Sequence, residues 1–451
     1  MTRCRFLALL GSAFILLGLT VLGLARQRHD DIDLFVAVAL AQGAVYLFAL
    51  WLVRPAGGSR RCLVVILGLA AAMRLLVLAA PPYLSSDVYR YVWDGRVIAA
   101  GINPYRYIPT DPHLAALRDA AIFPNINRNN YAHTIYPPAA ETMFFAVTRF
   151  DDSVVAMKAA MVLCEAIAVV LLLRLLAAAG LPATRIIVYA WHPLPLWEFA
   201  GSGHVDAAII VLIALALSSR GRLGGAIAGL ALAGGTLVKF YPAVLLPALW
   251  RPLHRRPIWP LPAVFAATLA LAYLPFLGVG WGVFGFLPHY LAEEGFTAGG
   301  GAGFYLWSAA KAVLPLGGVS DTAYMAGAAI LMLGLAAGVS FERIAADDVA
   351  LAAALLAAAF ILLLSPHYPW YFAWLIVFAC LVRSAALLWL TLASFLLYLV
   401  PVGSQLTWDR YRFAVESVLY VPFLVLAAHD FRRQRRPEQP PEQLKHGDST
   451  S

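Results

Sequence analysis

Charge is scarce in this sequence: Asp, Glu, Lys and Arg together make up 13% of 451 residues, about half the ~25% share of a soluble domain. So few charges cannot furnish the surface of a soluble multidomain chain, and that class is excluded. Cysteine is nearly absent, and Cys4, Cys62, Cys164 and Cys380 lie within or beside apolar runs with no paired spacing. A disulfide framework is therefore excluded, and the four read as small core hydrophobes. Nucleotide-binding signatures are missing as well. Gly299-Gly300-Gly301-Ala302-Gly303 lacks the Lys-Ser/Thr of a phosphate-binding loop, and Asp31-Ile32-Asp33, formally a DxD triplet, has no Rossmann pattern around it. There is no HExxH-type metal spacing.

What the sequence has in excess is apolar length. Hydrophobic residues form 62% of the chain, against ~45–50% in soluble proteins. Runs of about 20 apolar residues recur throughout, each able to cross ~30 Å of hydrocarbon as a helix. The expected class is all-α, a polytopic membrane protein with about 12–14 transmembrane helices. The 33 basic and 25 acidic residues leave a net charge of +8, much of it in short loops, where it orients helices. Nucleic acid is not implied as a partner; membrane lipids are.

Arg3 and Arg5 ahead of the first run, Phe6–Leu24, keep the amino terminus in the cytoplasm. That run exceeds a usual signal core, so it reads as an uncleaved helix. Two further spans, Leu34–Val53 and Cys62–Ala80, enclose a basic loop with Arg54, Arg60 and Arg61. Residues 1–80 are thus three spans, and 81–150 face outward. That outer segment is rich in Tyr, Asn, Pro and charge, too long for an idle connection. Residues 151–430 read as a transmembrane bundle, including expected spans at Val154–Ala178, Arg185–Phe199, Val205–Leu217, Leu223–Val238 and a short Tyr241–Trp250. Basic clusters at Arg220/Arg222, at Arg251/His254/Arg255/Arg256 and at Arg432/Arg433/Arg435/Arg436 then fall inside. Residues 431–451 form a basic cytoplasmic tail, disordered in its Pro- and Gln-rich part.

The residues able to carry chemistry lie on the expected outer side. Ser85 or Ser86 can cap a helix ended by Gly101 and Asn103-Pro104, and on it Asp87, Tyr91 and Asp94 share one face at i, i+4 and i+7. Two carboxylates then point the same way, with Arg90 and Arg96 near enough to tune them, as a general base requires. An amphipathic surface helix with ordinary salt bridges is the bland alternative. His133-Thr134-Ile135-Tyr136-Pro137-Pro138 leads into Ala139–Phe150, too short to span and carrying Glu141. An interfacial helix on the outer leaflet fits it, and His133 and Tyr136 are either substrate contacts or parts of a structural turn.

His192, Glu198, His204 and Asp206 sit where two apolar segments meet, and ionisable groups at the edge of a span usually face a cavity or partner. No third ligand accompanies His204 and Asp206, so hydrogen bonding to a polar substrate, or to each other, is favoured over a metal. Lys239 is one of only four lysines. As a compact point charge it suits a phosphate, with snorkelling to lipid headgroups as the alternative. His367 and Tyr371 stand in Ser365-Pro366-His367-Tyr368-Pro369-Trp370-Tyr371; aromatics are common at membrane interfaces, while His367 can act as acid, base or phosphate donor. Arg410 and Arg412 are outward cations against the topological bias, suited to an anionic headgroup.

Taken together, the run Asp87–Tyr105, the Tyr136-Pro137-Pro138 entry, the Pro193…Gly203-His204-Val205-Asp206 turn, Lys239-Phe240-Tyr241-Pro242 and His367-Tyr368-Pro369-Trp370-Tyr371 resemble the C-type (GT-C) glycosyltransferase superfamily. The chain is most similar there to the polyprenol-phosphate-mannose-dependent mannosyltransferases, glycosyltransferase family 87 and its relatives, over most of residues 62–412. The resemblance implies a GT-C-like fold with a large helical first outer loop. It also implies inverting transfer of a sugar, mannose by likeness, from a polyprenyl-phosphate donor to a glycolipid or polysaccharide acceptor, with neither metal nor cofactor. It makes Asp87 the base or acceptor-binding carboxylate, lets His367 pair with it, and gives Lys239 the leaving phosphate. The Ala- and Arg-rich composition suggests a GC-rich bacterium, hence the cytoplasmic membrane with the site facing the periplasm or exterior. The rival class is a transporter or flippase for a polar lipid, but its expected internal repeat with interrupted helices is not found.

Overall fold

The computed structural model describes residues 2–54, 59–219, 223–250, 259–293, 303–341, 343–345, 348–399 and 405–434. Among these residues every regular element is a helix. Seven helices are long and apolar enough to cross a membrane, namely Arg3–Arg28, Ile32–Val53, Arg60–Leu78, Val154–Ala178, Pro260–Tyr290, Asp321–Ser340 and Tyr411–Arg432. Five shorter apolar helices accompany them, at Asp206–Ser218, Gly224–Thr236, Val349–Leu364, Pro369–Leu381 and Ala385–Leu399. The expectation of about 12–14 spans counted both kinds. The basic clusters at 220–222 and 251–256, the glycine run at 299–301 and the tail beyond 434 lie outside the described residues, as does the side chain of Arg410.

Helices α1 (Arg3–Arg28) and α2 (Ile32–Val53) form a hairpin. Asp31, far from marking a nucleotide site, is the N-cap of α2, its carboxylate accepting from Leu34 N. Helix α3 (Arg60–Leu78) is tied to α6 (Val154–Ala178) through a buried ion pair, Arg74 to Glu165 at 2.7 Å. Arg74 also donates to the Ala190 carbonyl, and the Tyr189 hydroxyl donates to Glu165. With no water in a bilayer core, such groups must satisfy one another. At the end of α3, the Lys158 ammonium donates to the carbonyls of Val77, Leu78 and Ala80, closing carbonyls that a helix terminus leaves open.

That cap fixes where the chain enters α4 (Asp87–Ala99). Ser85 Oγ accepts from Asp87 N, so Ser85 rather than Ser86 supplies the cap. Helix α4 stops where Gly101 takes φ +76°, as Gly-Ile-Asn-Pro foretells. It packs against α5 (Pro138–Thr148). Between them Arg90 grips Asp94 at 2.8 and 3.0 Å and donates to the Ala132 carbonyl. Thr134 donates to the fully buried Glu141 at 2.6 Å. Asp94 is 1% exposed. Two expectations change here: Asp87 and Asp94 part company along the helix, and Glu141 turns into the α4–α5 seam instead of marking the polar side of a surface helix. A lone carboxylate facing an apolar environment is costly, and the Arg90–Thr134 seam is where these two find partners.

The expected span Arg185–Phe199 is also not one helix. It breaks into Ala183–Ile186, Ile187–Ala190, Pro193–Pro195 and a π-helical turn, Leu196–Gly201. Pro193 and Pro195 each lack an N–H and clash with the preceding turn, and the π turn aims successive side chains differently from an α-helix. Helices α7 (Asp206–Ser218) and α8 (Gly224–Thr236) follow as an antiparallel pair, with α7 packed on α6. Further on, α9 (Val349–Leu364) ends at Ser365, whose φ of +47° turns the chain into the aromatic segment 366–372.

Candidate active site

A cavity of about 760 Å³ opens between the loop 81–137, the segment 239–241, the end of α9 and the turn 366–371. Asp87 reaches it from the first turn of α4, its side chain 20% exposed, and accepts from Asn127 Nδ2 at 2.8 Å. Lys239 reaches it from the residue after α8's closing turn. Its ammonium donates to Asp206 at 2.6 Å and lies 4.9 Å above the Tyr371 ring. Burial works against that charge, but Asp206 and Tyr371 outweigh it and hold the ammonium above its ordinary value. Tyr241 completes the group by donating to the other Asp206 oxygen at 2.7 Å.

Of the residues singled out from sequence, Asp87, His133, Tyr136, Lys239, His367 and Tyr371 line this one cavity. Asp206 stands directly behind Lys239. Tyr91 is buried beneath, its ring stacked on Phe144 at 4.4 Å and edge-on to Tyr136 at 5.0 Å. Burial, then the charge of Asp87, raise both phenols well above their ordinary value, so both stay neutral. His133, pushed down by burial and then by Arg90, is the reverse case. The imidazole in ion-pair range of Asp87 is that of His204, Nδ1 to Oδ2 at 3.9 Å, with Glu198 on its far side. His367 directs Nε2 to the Gly303 carbonyl oxygen at 3.5 Å.

Two candidates stand elsewhere. Asp94 lies in the α4–α5 seam. His192 is fully buried away from the cavity lining, with Nε2 3.0 Å from the Thr391 hydroxyl and Nδ1 accepting from Leu194 N. There it caps the Pro193–Pro195 turn, and its ring meets Tyr46 edge-on.

Sequence reading passed over Asn127, Tyr398 and the apolar wall. Asn127 sits in a run of asparagines, Asn125 to Asn130, that resembles any polar loop; the sole cue is its concentration in the longest outer segment. Tyr398, which donates to Glu198 at 2.7 Å, is one aromatic in an apolar stretch and carries no signal. Phe360, Ile361 and Leu364, from the last turns of α9, line the cavity together with its polar groups.

One pocket thus holds a carboxylate, a fixed ammonium, many aromatic rings and an aliphatic wall. Residues 6–253 match the family model of the alpha-(1->6)-mannopyranosyltransferases, MptA/B family, N-terminal domain. The chain belongs to that family. It is a membrane-embedded glycosyltransferase, a mannosyltransferase of the GT-C type, and the transporter alternative falls. No curated protein and no solved structure matches the chain. The matched stretch of the mannosyltransferase contains Asp87, His204, Asp206 and Lys239, while His367, Trp370 and Tyr371 lie beyond it and close the same cavity.

Proposed function

We propose that this mannosyltransferase takes mannose from a polyprenyl-phosphate donor and passes it, with inversion, to a glycolipid or polysaccharide acceptor at the outer face of the bacterial cytoplasmic membrane. The observation that carries the donor is the mixed polar and apolar lining of the cavity. Its lining combines the polar groups of Lys239 and Asp87 with the apolar side chains of Phe360, Ile361 and Leu364, which suits a phosphate-linked sugar with a hydrocarbon tail. The fixed Lys239 ammonium neutralises the charge growing on the departing phosphate; a preorganised charge at that point lowers the barrier. The aromatic side chains of Tyr136 and Tyr368 line the cavity where the sugar ring would sit.

Asp87 is the base. The acceptor hydroxyl oxygen bonds to the anomeric carbon as the bond from that carbon to the phosphate oxygen breaks. The hydroxyl proton passes to the Asp87 carboxylate, and the electron pair of the broken bond leaves on the polyprenyl phosphate. Attack opposite the leaving phosphate gives inversion. Asn127 holds one Asp87 oxygen and leaves the other for the acceptor. The outward orientation rests on the basic loops that the positive-inside rule assigns to the cytoplasm.

The test is transfer of labelled sugar from polyprenyl-phosphate-mannose, with other polyprenyl-phosphate sugars in parallel, by membranes carrying wild type or Asp87→Asn at matched expression. Transfer from the mannosyl donor that falls at least about 100-fold in the variant supports the reading. Equal transfer in the two removes Asp87 from the chemistry, and transfer from a different donor alone corrects the sugar.

A further inference from the structure

Behind the cavity wall a row of groups runs from Tyr398 to Asp87. The Tyr398 hydroxyl donates to Glu198 Oε1 at 2.7 Å. Glu198 Oε2 lies 3.4 Å from His204 Nε2, and His204 Nδ1 lies 3.9 Å from Asp87 Oδ2. Asp87 Oδ1 is held by Asn127. Glu198 and His204 are fully buried, whereas Asp87 keeps its exposure on the cavity side. A single imidazole therefore stands between two carboxyl groups, one sealed and one open to substrate.

The imidazole is closely held. Its backbone N–H donates to the Glu198 carbonyl at 3.0 Å, across the π turn. Its ring stacks on Trp370 at 4.2 Å, and Trp370 stacks on Tyr368 at 4.5 Å. Gly203 before it has φ +77°, and a Cβ there would come within 3.0 Å of Val88 on α4 and Lys158 on α6. Glycine alone lets the chain turn that closely onto the helix that carries Asp87.

A neutral imidazole has one N–H and one lone pair. Burial, and then Lys239, hold His204 well below its ordinary value, so the ring is neutral. It can serve both carboxyl groups only if one of them is protonated. The sealed group has no substrate to answer to and already accepts from Tyr398 on its other oxygen.

Building on Asp87 as the base, we propose that Glu198 donates its proton to His204 Nε2, which fixes the tautomer with Nδ1–H turned to Asp87. His204 is then the positioning residue that holds the Asp87 carboxylate turned toward the acceptor. At 3.9 Å this is an electrostatic contact, of the kind that shortens as a site fills. No proton travels along the row; the one taken from the acceptor stays on Asp87 until it leaves to water. The other charged or titratable groups that bear on Asp87 are Tyr91 on its own helix, Tyr136, Lys239 with Asp206 behind it, and Tyr398.

The experiment is mannose transfer against pH by the full-length protein in membranes, for wild type, Asp87→Asn, His204→Gln, His204→Asn, Glu198→Gln and Glu198→Leu. The Asn amide nitrogen sits where Nδ1 was, and the Gln amide nitrogen where Nε2 was. His204→Gln is expected to lose about 10–100-fold in kcat with the donor KM unmoved. Its acid limb should move up by about 0.5–1 pH unit, because Asp87 has lost a donor to its charged form. His204→Asn recovers most of that loss. Glu198→Gln, which still donates, keeps the limb in place, and Glu198→Leu moves it as His204→Gln does. An inactive Asp87→Asn beside a His204→Gln of wild-type rate and limb overturns this proposal and leaves Asp87 as the base. A fully active Asp87→Asn overturns both. Should His204→Gln fail to accumulate, the two Glu198 variants decide: an acid limb at the wild-type position in both overturns the proposal.

Discussion

Lys239 and Asp206 face each other at 2.6 Å, the ammonium 12% exposed at the cavity wall and the carboxylate fully buried behind it. The lysine is not a free cation awaiting phosphate but half of an ion pair, backed by Tyr241. Its partner fixes both its place and its charge. Lys239→Met strands a buried carboxylate and should cost about 3–5 kcal/mol of stability, with transfer falling by about 100-fold. Adding Asp206→Leu removes the stranded charge and should restore much of the thermal stability without restoring transfer. Melting and turnover measured on the same samples check this; transfer that returns with stability would remove Lys239 from phosphate binding.

Stability is expected to fall as pH rises, through Glu141. Burial, with Asp94 adding to it, holds the Glu141 carboxyl well above its ordinary 4.5. Such a group binds more protons folded than unfolded, so its contribution is complete below about pH 4.5 and is lost as pH climbs toward the folded value. Asp94, raised by burial against the pull of Arg90, acts in the same direction. Glu141→Gln keeps the Thr134 contact and cannot ionise. Its melting temperature should decline less steeply on the alkaline side than that of wild type, and parallel curves would mean that Glu141 is ionised in the fold.

Gly285, the residue before the cavity-lining Phe286, takes φ +52°, where a Cβ would collide with the Thr134 carbonyl oxygen, itself the acceptor for Phe286 N. Gly285→Ala should destabilise by at least about 1–3 kcal/mol from backbone strain alone. It should also raise KM more than it lowers kcat, since Phe286 lines the pocket and Asp87 is untouched. A variant with wild-type melting and kinetics would show that 285 is free to move.

The wall of Phe360 and Leu364 should read the donor's tail. Replacing both by Ala removes apolar contact worth about 1.5–3 kcal/mol per fully buried side chain, and should raise KM for a long polyprenyl donor about tenfold or more. A water-soluble donor with a short tail should lose little. Equal losses for both donors would place the tail elsewhere.

Much of this was written in the sequence. Helices α1, α2, α3 and α6 follow from apolar length, because a bilayer leaves a chain of such composition few other ways to satisfy its backbone. The start of α4 at Asp87 and its end at Gly101 follow from Ser, Gly and Pro chemistry, and Asp87, Lys239, His367 and Tyr371 were candidates because polar groups are rare in so apolar a chain. Periodicity went astray where it assumed regular geometry. Asp87 and Asp94 lie about two turns apart and read as one face, yet the first turn reaches the cavity while the second is gripped by Arg90. Arg185–Phe199 is apolar enough to span, yet two prolines and a π turn break it.

By itself, the sequence determined that this chain is helical, embedded in a membrane and armed with a few polar groups gathered in particular loops, because those properties depend on composition and on contacts a few residues apart. Only the tertiary structure decided which of those groups meet. Asn127 comes to Asp87 across 40 residues, Lys239 to Asp206 across 33 and Tyr398 to Glu198 across 200. No local pattern encodes such pairings. They are set by how helices pack, since a buried charge must find its partner wherever packing has placed one.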